Sequence, residues 1–381
     1  MKALSYTDFS SRLHNASSRR RIPVNATLEI TYRCNNRCVH CFCGLPADDP
    51  KAGKELSTAE IGGLFDDLAS MGGLWLLITG GEPLLRPDFE EVYLHAKKKG
   101  FLITLFTNGT MIGEETAALL SKYPPFVVEI SLYGATEETY EKVTRLKGSY
   151  KRCLSGIEKI LRAGIQLKLK TMALTVNRHE IAEMDRMARE WGCEFRFDPV
   201  IQRRIDGGAY SAPENCRISP DNVVRLDRMF PKKMDEYKKF CKHFVKKPRA
   251  DARLYRCGAG VGSIHVNPYG SAMGCSMMLQ DGFSIRKHSL GWIWDEGIRS
   301  VIEQKKDFRL PCDACRLVNL CGQCAAWSLL ENGTAEKEVT YLCRIAKMKE
   351  KSFDFLEERD AAQQEETMDK TYMPEGTAET R

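Results

Sequence analysis

The sequence predicts an α/β chain: a partial (β/α)6 barrel followed by a small Cys-rich α+β domain. Three observations predict it. Between residues 25 and 201, six short β-type runs alternate with amphipathic helical segments, the order expected of a parallel sheet covered by helices. Polar, glycine-containing motifs stand directly after several of those runs, and barrels of this kind carry their chemistry at the carboxyl ends of the strands. From Cys257 to Cys343 the chain becomes dense in Cys and Gly and poor in long periodic elements. So short a segment buries little core, and bound metal would have to supply much of its folding free energy.

The elements follow in order. LEIT (28–31) precedes a helix opening at Ser57, where Ser57 and Glu60 have capping-box spacing. LWLLIT (74–79) precedes a helix over Asp88–Lys99, with Phe89, Val92, Tyr93 and Ala96 on one face. FLITLF (101–106), FVVEISL (126–132), IQLKLKTMAL (165–174) and EFRFDPV (194–200) are the remaining strands, with helices near 113–122, 137–163 and 178–191. Right-handed crossovers would curl such a sheet into an open or closed barrel. The limits that result are an N-terminal extension over 1–24, the barrel over 25–201, and a basic bridging region over 202–255. The Cys-rich domain covers 256–345, and 346–381 is a helix end running into an acidic, disordered tail. Within the bridging region DGGAYSAPENC is loop-like, and a Lys-rich amphipathic helix is expected over Val224–Phe244.

Of the 381 residues, 43% are apolar and 28% charged, which admits a sizeable core and excludes wholesale disorder. No apolar run approaches the ~18–20 residues that cross a bilayer, and the first residues lack the apolar centre of a signal peptide. A cytoplasmic protein with no membrane partner is expected. A net charge of +6 is small for this length and points to no nucleic-acid partner. It is uneven, however: Lys232–Arg256 carries ten basic and three acidic residues, and Asp354–Arg381 nine acidic and three basic. Solvated surface explains both; an acidic partner such as a peptide would also suit the basic stretch. The 15 cysteines carry more information. Their number is odd and no export signal accompanies them, which argues against a disulfide framework and for metal or iron–sulfur binding in a reducing compartment.

Directly after the first strand stands Cys34-Asn-Asn-Arg-Cys38-Val-His-Cys41. Three thiolates at this spacing suit three irons of a [4Fe–4S] cube and leave the fourth iron for an exogenous ligand. A zinc loop is the alternative, with Cys43 or His40 as the fourth ligand zinc requires. After the second strand comes Thr79-Gly80-Gly81-Glu82-Pro83, after the third Thr107-Asn108-Gly109, and at the end of the fourth Ser131-Leu-Tyr-Gly134. Turn chemistry accounts for any one of them; three at successive strand ends, on the face that bears the tri-cysteine loop, point to one ligand site. With these residues the chain resembles the radical S-adenosylmethionine (SAM) superfamily over roughly 25–200.

The resemblance implies that Cys34, Cys38 and Cys41 hold a [4Fe–4S] cluster whose open iron is chelated by SAM. His40 takes the aromatic position beside the adenine, usually Tyr or Phe. Gly81 and Glu82 would meet the methionine amino group, Ser131 and Arg145 the ribose and carboxylate, with Asn108 a further contact. One electron from the cluster would break the sulfonium C–S bond, and the resulting 5′-deoxyadenosyl radical would remove a hydrogen atom from substrate. A low-potential flavodoxin or ferredoxin is implied as reductant.

The remaining constellation is Cys257, Cys275, Cys312-x2-Cys315-x5-Cys321-x2-Cys324 and Cys343. By itself it reads equally as a zinc ribbon. Attached to a radical SAM barrel, it resembles the SPASM domain, which binds two auxiliary [4Fe–4S] clusters and would bring the total to three. Gly270-x4-Cys275 and Cys312-x2-Cys315-x5-Cys321 match that pattern, whereas Cys324 follows after two residues where three are usual. By analogy Cys312, Cys315, Cys321 and Cys343 complete one cluster. Cys257, Cys275 and Cys324 hold the other, with Cys241, another thiol or the substrate at its fourth iron. Cys43, Cys153, Cys193, Cys216 and Cys241 remain, and free thiols of this kind are ordinary packing residues.

Members with this architecture mostly modify peptides and proteins, so the expectation is a maturase of a ribosomally made peptide. Anaerobic sulfatase maturases resemble the chain too, but carry an Asp directly after the Cys of Gly-x4-Cys. Here that position is Ser276, and Asp198 is the residue that could substitute as base. The 33 residues before Cys34 are too few for a winged-helix leader-binding module, so a separate leader-peptide recognition protein would serve. A radical SAM enzyme acting on a tetrapyrrole or sugar is the second reading, and a non-catalytic metal-binding protein the third.

Overall fold

Six parallel strands follow one another across the sheet in chain order, as the alternation predicts. The computed structural model describes residues 6–206, 208, 210–244 and 253–353. In it the strands are β1 (Asn25–Thr31), β2 (Trp75–Gly80), β3 (Leu102–Thr107), β4 (Val127–Ser131), β5 (Leu167–Met172) and β6 (Glu194–Asp198). All five pairings from β1 to β6 are parallel. Ile78, Leu105, Ile130 and Leu169 point to the outer face and are fully buried under the crossover helices. These are α2 (Thr58–Ser70), α3 (Phe89–Lys98), α4 (Glu114–Lys122), α5 (Glu137–Thr144), α6 (Ser149–Arg162) and α7 (Ile181–Glu190). The Ser57 hydroxyl accepts from the Glu60 N–H while the Glu60 carboxylate accepts from the Ser57 N–H, so the capping box opens α2 as expected.

Three features were not legible beforehand. The Cys-rich segment extends this same sheet: β7 (Ser263–Val266) pairs in parallel with the free edge of β1, and β8 (Ser271–Met273) and β9 (Phe283–Ser284) continue it antiparallel. The N-terminal extension contains a helix (α1, Tyr6–Arg20); its His14 ring stacks on Trp75 with centroids 4.8 Å apart, and Trp75 Nε1 donates to the Tyr6 hydroxyl at 3.0 Å. The third is a correction of two helices. The expected helix over 137–163 is two helices, because Arg145 takes a left-handed conformation (φ 54°, ψ 31°) and Gly148 another (φ 74°). The expected Lys-rich helix over Val224–Phe244 is likewise broken. Pro231 lacks an amide hydrogen and disfavours helix in the residue before it, giving α8 (Pro220–Arg228) and α9 (Pro231–Phe244).

The chain divides into two units. The first holds the sheet and its helices, together with 251–307 and 324–334, which includes α10 (Ala325–Asn332). The second comprises, among the described residues, 219–244, 308–323 and 335–353. Within it α8 packs on α11 (Thr340–Phe353), and fully buried Asp227 lies between the ammonium groups of Lys233 (2.9 Å) and Lys349 (3.2 Å). The side chain of Cys241, much of the basic stretch after it and the acidic tail lie outside the described residues. Among the described residues, no helix is long and apolar enough to cross a membrane.

A non-glycine residue in the left-handed region costs about 1 kcal/mol. Arg145→Gly is therefore expected to raise the unfolding free energy by about that amount, read from denaturant midpoints. A lower midpoint would mean that the guanidinium itself stabilises the fold by more than the strain costs.

Candidate active site

The site is built where the carboxyl end of β1 meets α5. The loop Cys34–Cys41 is held by backbone: the N–H groups of Arg37 and Val39 donate to the carbonyls of Thr144 and Val143 at 3.0 and 2.9 Å. The left-handed turn at Arg145 thus ends α5 where its last carbonyls are needed. From the other side Arg204 Nη2 donates to the Gly44 carbonyl at 3.0 Å. Cys34, Cys38 and Cys41 all line one cavity of about 660 Å³. Burial and the neighbouring charges of Glu82 and Cys41 push the Cys34 thiol up, and burial with Cys34 and Cys41 does the same for Cys38. Cys41 goes the other way, down to about 6, because the Cys43 thiol donates to it and the N–H groups of Cys43 and Gly44 point at it. Cys43 is therefore a partner of the loop as well as a buried residue.

Two polar side chains beside the thiols carry buried atoms with no hydrogen-bond partner among the described residues. Both amide atoms of buried Asn36 are unbonded, as is Nδ1 of His40. Burial pushes His40 down to about 4, so the ring is neutral at pH 7; it meets Tyr133 edge-to-face, with centroids 4.8 Å apart. Open donors and acceptors at the mouth of a tri-thiol loop fit a polar ligand bound beside a cluster.

Gly80 and Gly81 line the same cavity. They are glycines because the end of β2 presses on the chain leaving β1: a Cβ on Gly80 would stand 2.1 Å from the Thr31 carbonyl oxygen, and one on Gly81 would stand 2.3 Å from that of Arg33. Glu82 is fully buried and is not among the residues that line the cavity. Its carboxylate accepts from the Thr107 hydroxyl (2.7 Å), the Asn108 N–H (2.7 Å) and the Leu84 N–H (3.1 Å), tying the ends of β2 and β3 together. Asn108 in turn donates to Asn35 Oδ1 at 2.8 Å and towards Cys34 Sγ at 3.7 Å. Ser131 and Asp198 line the cavity from the ends of β4 and β6. Arg145 is exposed and does not line it, but its guanidinium opposes the upward push on Cys38.

The inner face of the sheet contributes groups that sequence reasoning did not single out. Glu29 accepts from the Tyr32 hydroxyl and from His265 Nε2, both at 2.9 Å. Lys170 and Arg196 also face the cavity. Their signal was present: in IQLKLKTM the lysines alternate with leucines, the pattern of a strand with one polar face.

The seven later thiols fall into two sets. In the first unit Cys275 lines the cavity, and Cys275 and Cys257 are electrostatic neighbours of Cys324, whose Sγ accepts from the Trp327 N–H at 3.3 Å. In the second unit Cys312, Cys315, Cys321 and Cys343 face one another; burial and these neighbours push Cys321 up to about 12 and Cys312 up to about 11. No three such side chains among the described residues converge at single-ion distance. A four-iron cube binds each thiolate to a different iron, so its ligands stand wider apart than those of one zinc ion. Buried Cys153 and Cys216 donate to the Ser131 and Val39 carbonyls at 3.8 and 3.7 Å, and Cys193 donates to the Trp191 carbonyl at 3.6 Å.

Residues 28–188 match the radical SAM superfamily. The AdoMet-dependent heme synthase of Methanosarcina barkeri is 27% identical over 337 residues, 82% of this chain and 94% of that protein. The mycofactocin maturase MftC of Mycobacterium ulcerans is 30% identical over 268 residues, 68% of this chain and 70% of that protein. Streptococcus suis SuiB, solved with its precursor peptide SuiA, shares the fold at a TM-score of 0.68 and 16% identity, covering 90% of this chain and 82% of that one.

Burial raises Glu82 from 4.5 to about 6. Through that window the unfolded chain releases the proton first, so stability falls as pH rises, by about 2 kcal/mol in total. Glu82→Gln is expected to abolish this fall. Urea titrations of both proteins at about pH 5 and about pH 7 measure it, and equal pH dependence in the two would refute the assignment.

Proposed function

Because the chain belongs to the radical SAM superfamily, we propose that it is an enzyme that cleaves SAM reductively and modifies a ribosomally synthesised peptide. Cys34, Cys38 and Cys41 would hold the [4Fe–4S] cluster; with SAM bound, that cluster supplies a 5′-deoxyadenosyl radical that removes a hydrogen atom from substrate. The chain's own residues position and screen. His40, neutral and with an open ring nitrogen, flanks the ligand; the Gly80–Gly81 backbone admits it closely; Ser131 and Asn108 offer polar contacts. Arg145 adds positive charge beside Cys38. Glu82 orders Asn108 and the strand ends rather than reaching the ligand itself.

The observation that carries the reading is a shared cavity. The tri-thiol loop, Cys275 and Ser276 all open on it, so a substrate there lies within reach of the tri-thiol loop and of the set Cys257, Cys275 and Cys324. The later thiols would form a SPASM domain with two auxiliary [4Fe–4S] clusters, one on Cys257, Cys275 and Cys324 and one on Cys312, Cys315, Cys321 and Cys343. Asp198, exposed at the cavity wall, is the proposed base. A flavodoxin or ferredoxin would deliver electrons, and a separate protein would present the leader peptide. The similarity to a maturase supports the peptide substrate, and the fold accommodates a precursor peptide in SuiB. A tetrapyrrole substrate is the second reading, favoured by a match that spans 94% of the heme synthase.

Anaerobically reconstituted protein is expected to hold about 12 irons per chain and to form 5′-deoxyadenosine with dithionite. Cys34→Ala should hold about 8 and form none. Mass spectrometry of peptides encoded beside the gene, and of a tetrapyrrole such as coproporphyrin, would then identify the substrate. SAM cleavage by Cys34→Ala would overturn the proposal.

A further inference from the structure

One wall of the cavity carries a cationic pair that the chemistry above does not use. Parallel pairing aligns Ser131 with Lys170 and Lys170 with Arg196. A hydroxyl, an ammonium and a guanidinium therefore form one row across β4, β5 and β6, and all three line the cavity. Lys170 is 18% exposed, and its Nζ stands 2.7 Å from the centroid of the Phe106 ring. Among the described residues its one carboxylate neighbour within 4 Å is Glu129, at 3.9 Å. The same Glu129 oxygen already accepts from Arg196 Nη2 at 2.8 Å. One carboxylate thus serves two cations. Of the other acids near this wall, two are paired. Glu194 pairs with Lys168 at 2.8 Å, Glu29 is held by Tyr32 and His265, and Asp198 is exposed at the strand end.

Partial burial and the neighbouring Arg196 charge push Lys170 well below the ordinary amine range, so its charged form gains from a further anion at this wall. Arg196 is 53% exposed and uses one of its N–H groups on Glu129, which leaves donors of its planar fork for a second carboxylate. We infer that Lys170 and Arg196 form a subsite for a side-chain carboxylate, Asp or Glu, of the peptide substrate. A carboxylate anchored there completes the charge balance of the row. It also holds the adjoining carbons in the layer of the sheet that Ser131 occupies, at the strand ends where the tri-thiol loop opens. The inference rests on the proposed use of the cavity as the substrate site.

The test needs no turnover. The SAM-bound holoenzyme, kept anaerobic and without reductant, is acetylated with a sulfonated succinimidyl acetate, and modification of Lys170 is followed by mass spectrometry. The peptide acetyl-Ala-Glu-Ala-amide is expected to slow modification roughly fivefold or more, and acetyl-Ala-Gln-Ala-amide to leave it unchanged. Arg196→Met should remove the protection, and Arg196→Lys, which keeps the charge and the fold, should retain part of it. Equal protection by the two peptides, or none by either, overturns the subsite. Protection by coproporphyrin but not by the Glu peptide overturns the peptide assignment. The 5′-deoxyadenosine assay on the same preparation reports the SAM chemistry separately, so failure of that reading is distinguishable from failure of this one.

Discussion

Each barrel strand faces two different solvents, and the rest of the structure depends on that constraint. Parallel sheets flanked by helices are usually apolar on both faces. Here only the outer face is core: Ile78, Leu105, Ile130 and Leu169 are fully buried beneath the crossover helices. The inner face carries Glu29, Thr79, Lys170 and Arg196 into an open cavity. Hydrophobic burial on one side therefore fixes the strands. Groups on the other side are left free for chemistry, provided each charge there finds a partner.

The two kinds of thiol site differ in what holds them. The first loop is set by backbone hydrogen bonds to α5 and by the close approach of Gly80 and Gly81 to the backbone leaving β1. Its geometry is thus a consequence of the sheet, and a ligand bound there meets a prepared surface. The set Cys312, Cys315, Cys321 and Cys343 sits on short helical turns (Pro311–Ala314 and Val318–Cys321) and the start of α11. Burial favours the protonated form of Cys312, Cys321 and Cys343. A cluster bound by this set, as proposed above, would displace those protons, and folding of this segment and loading of its site would then be one coupled event.

The parallel strand order and the α2 capping box were legible because period and spacing are local properties of the chain. The tri-cysteine loop and the glycine motifs were legible for the same reason: glycine at Gly80 and Gly81 answers a backbone clash that no other residue survives. What was not legible depended on distant partners. β7 has four residues and little pattern of its own; it is a strand because the edge of β1 is there to receive it. The break in the expected helix over 137–163 is fixed by a left-handed Arg145, a conformation that composition does not advertise. Glu82 shows the limit in another way. Its position after two glycines suggests a direct contact with ligand, whereas its three hydrogen bonds turn it inward to brace β2 and β3.

The charged groups of the cavity wall divide by how completely they are satisfied. Glu29 is closed off: a hydroxyl and an imidazole donate to one of its oxygens at 2.9 Å each, and these partners come from β1's own loop and from β7. That arrangement explains why β7 belongs to the barrel, since without it a buried carboxylate would lose one of its two donors. Lys170 is the opposite case, with a long contact to a carboxylate that Arg196 already occupies. A half-buried amine with a borrowed counter-ion gives up its proton readily, and an anion bound beside it favours the charged form. On the β4–β6 side of this cavity, that is the feature the fold itself leaves incomplete.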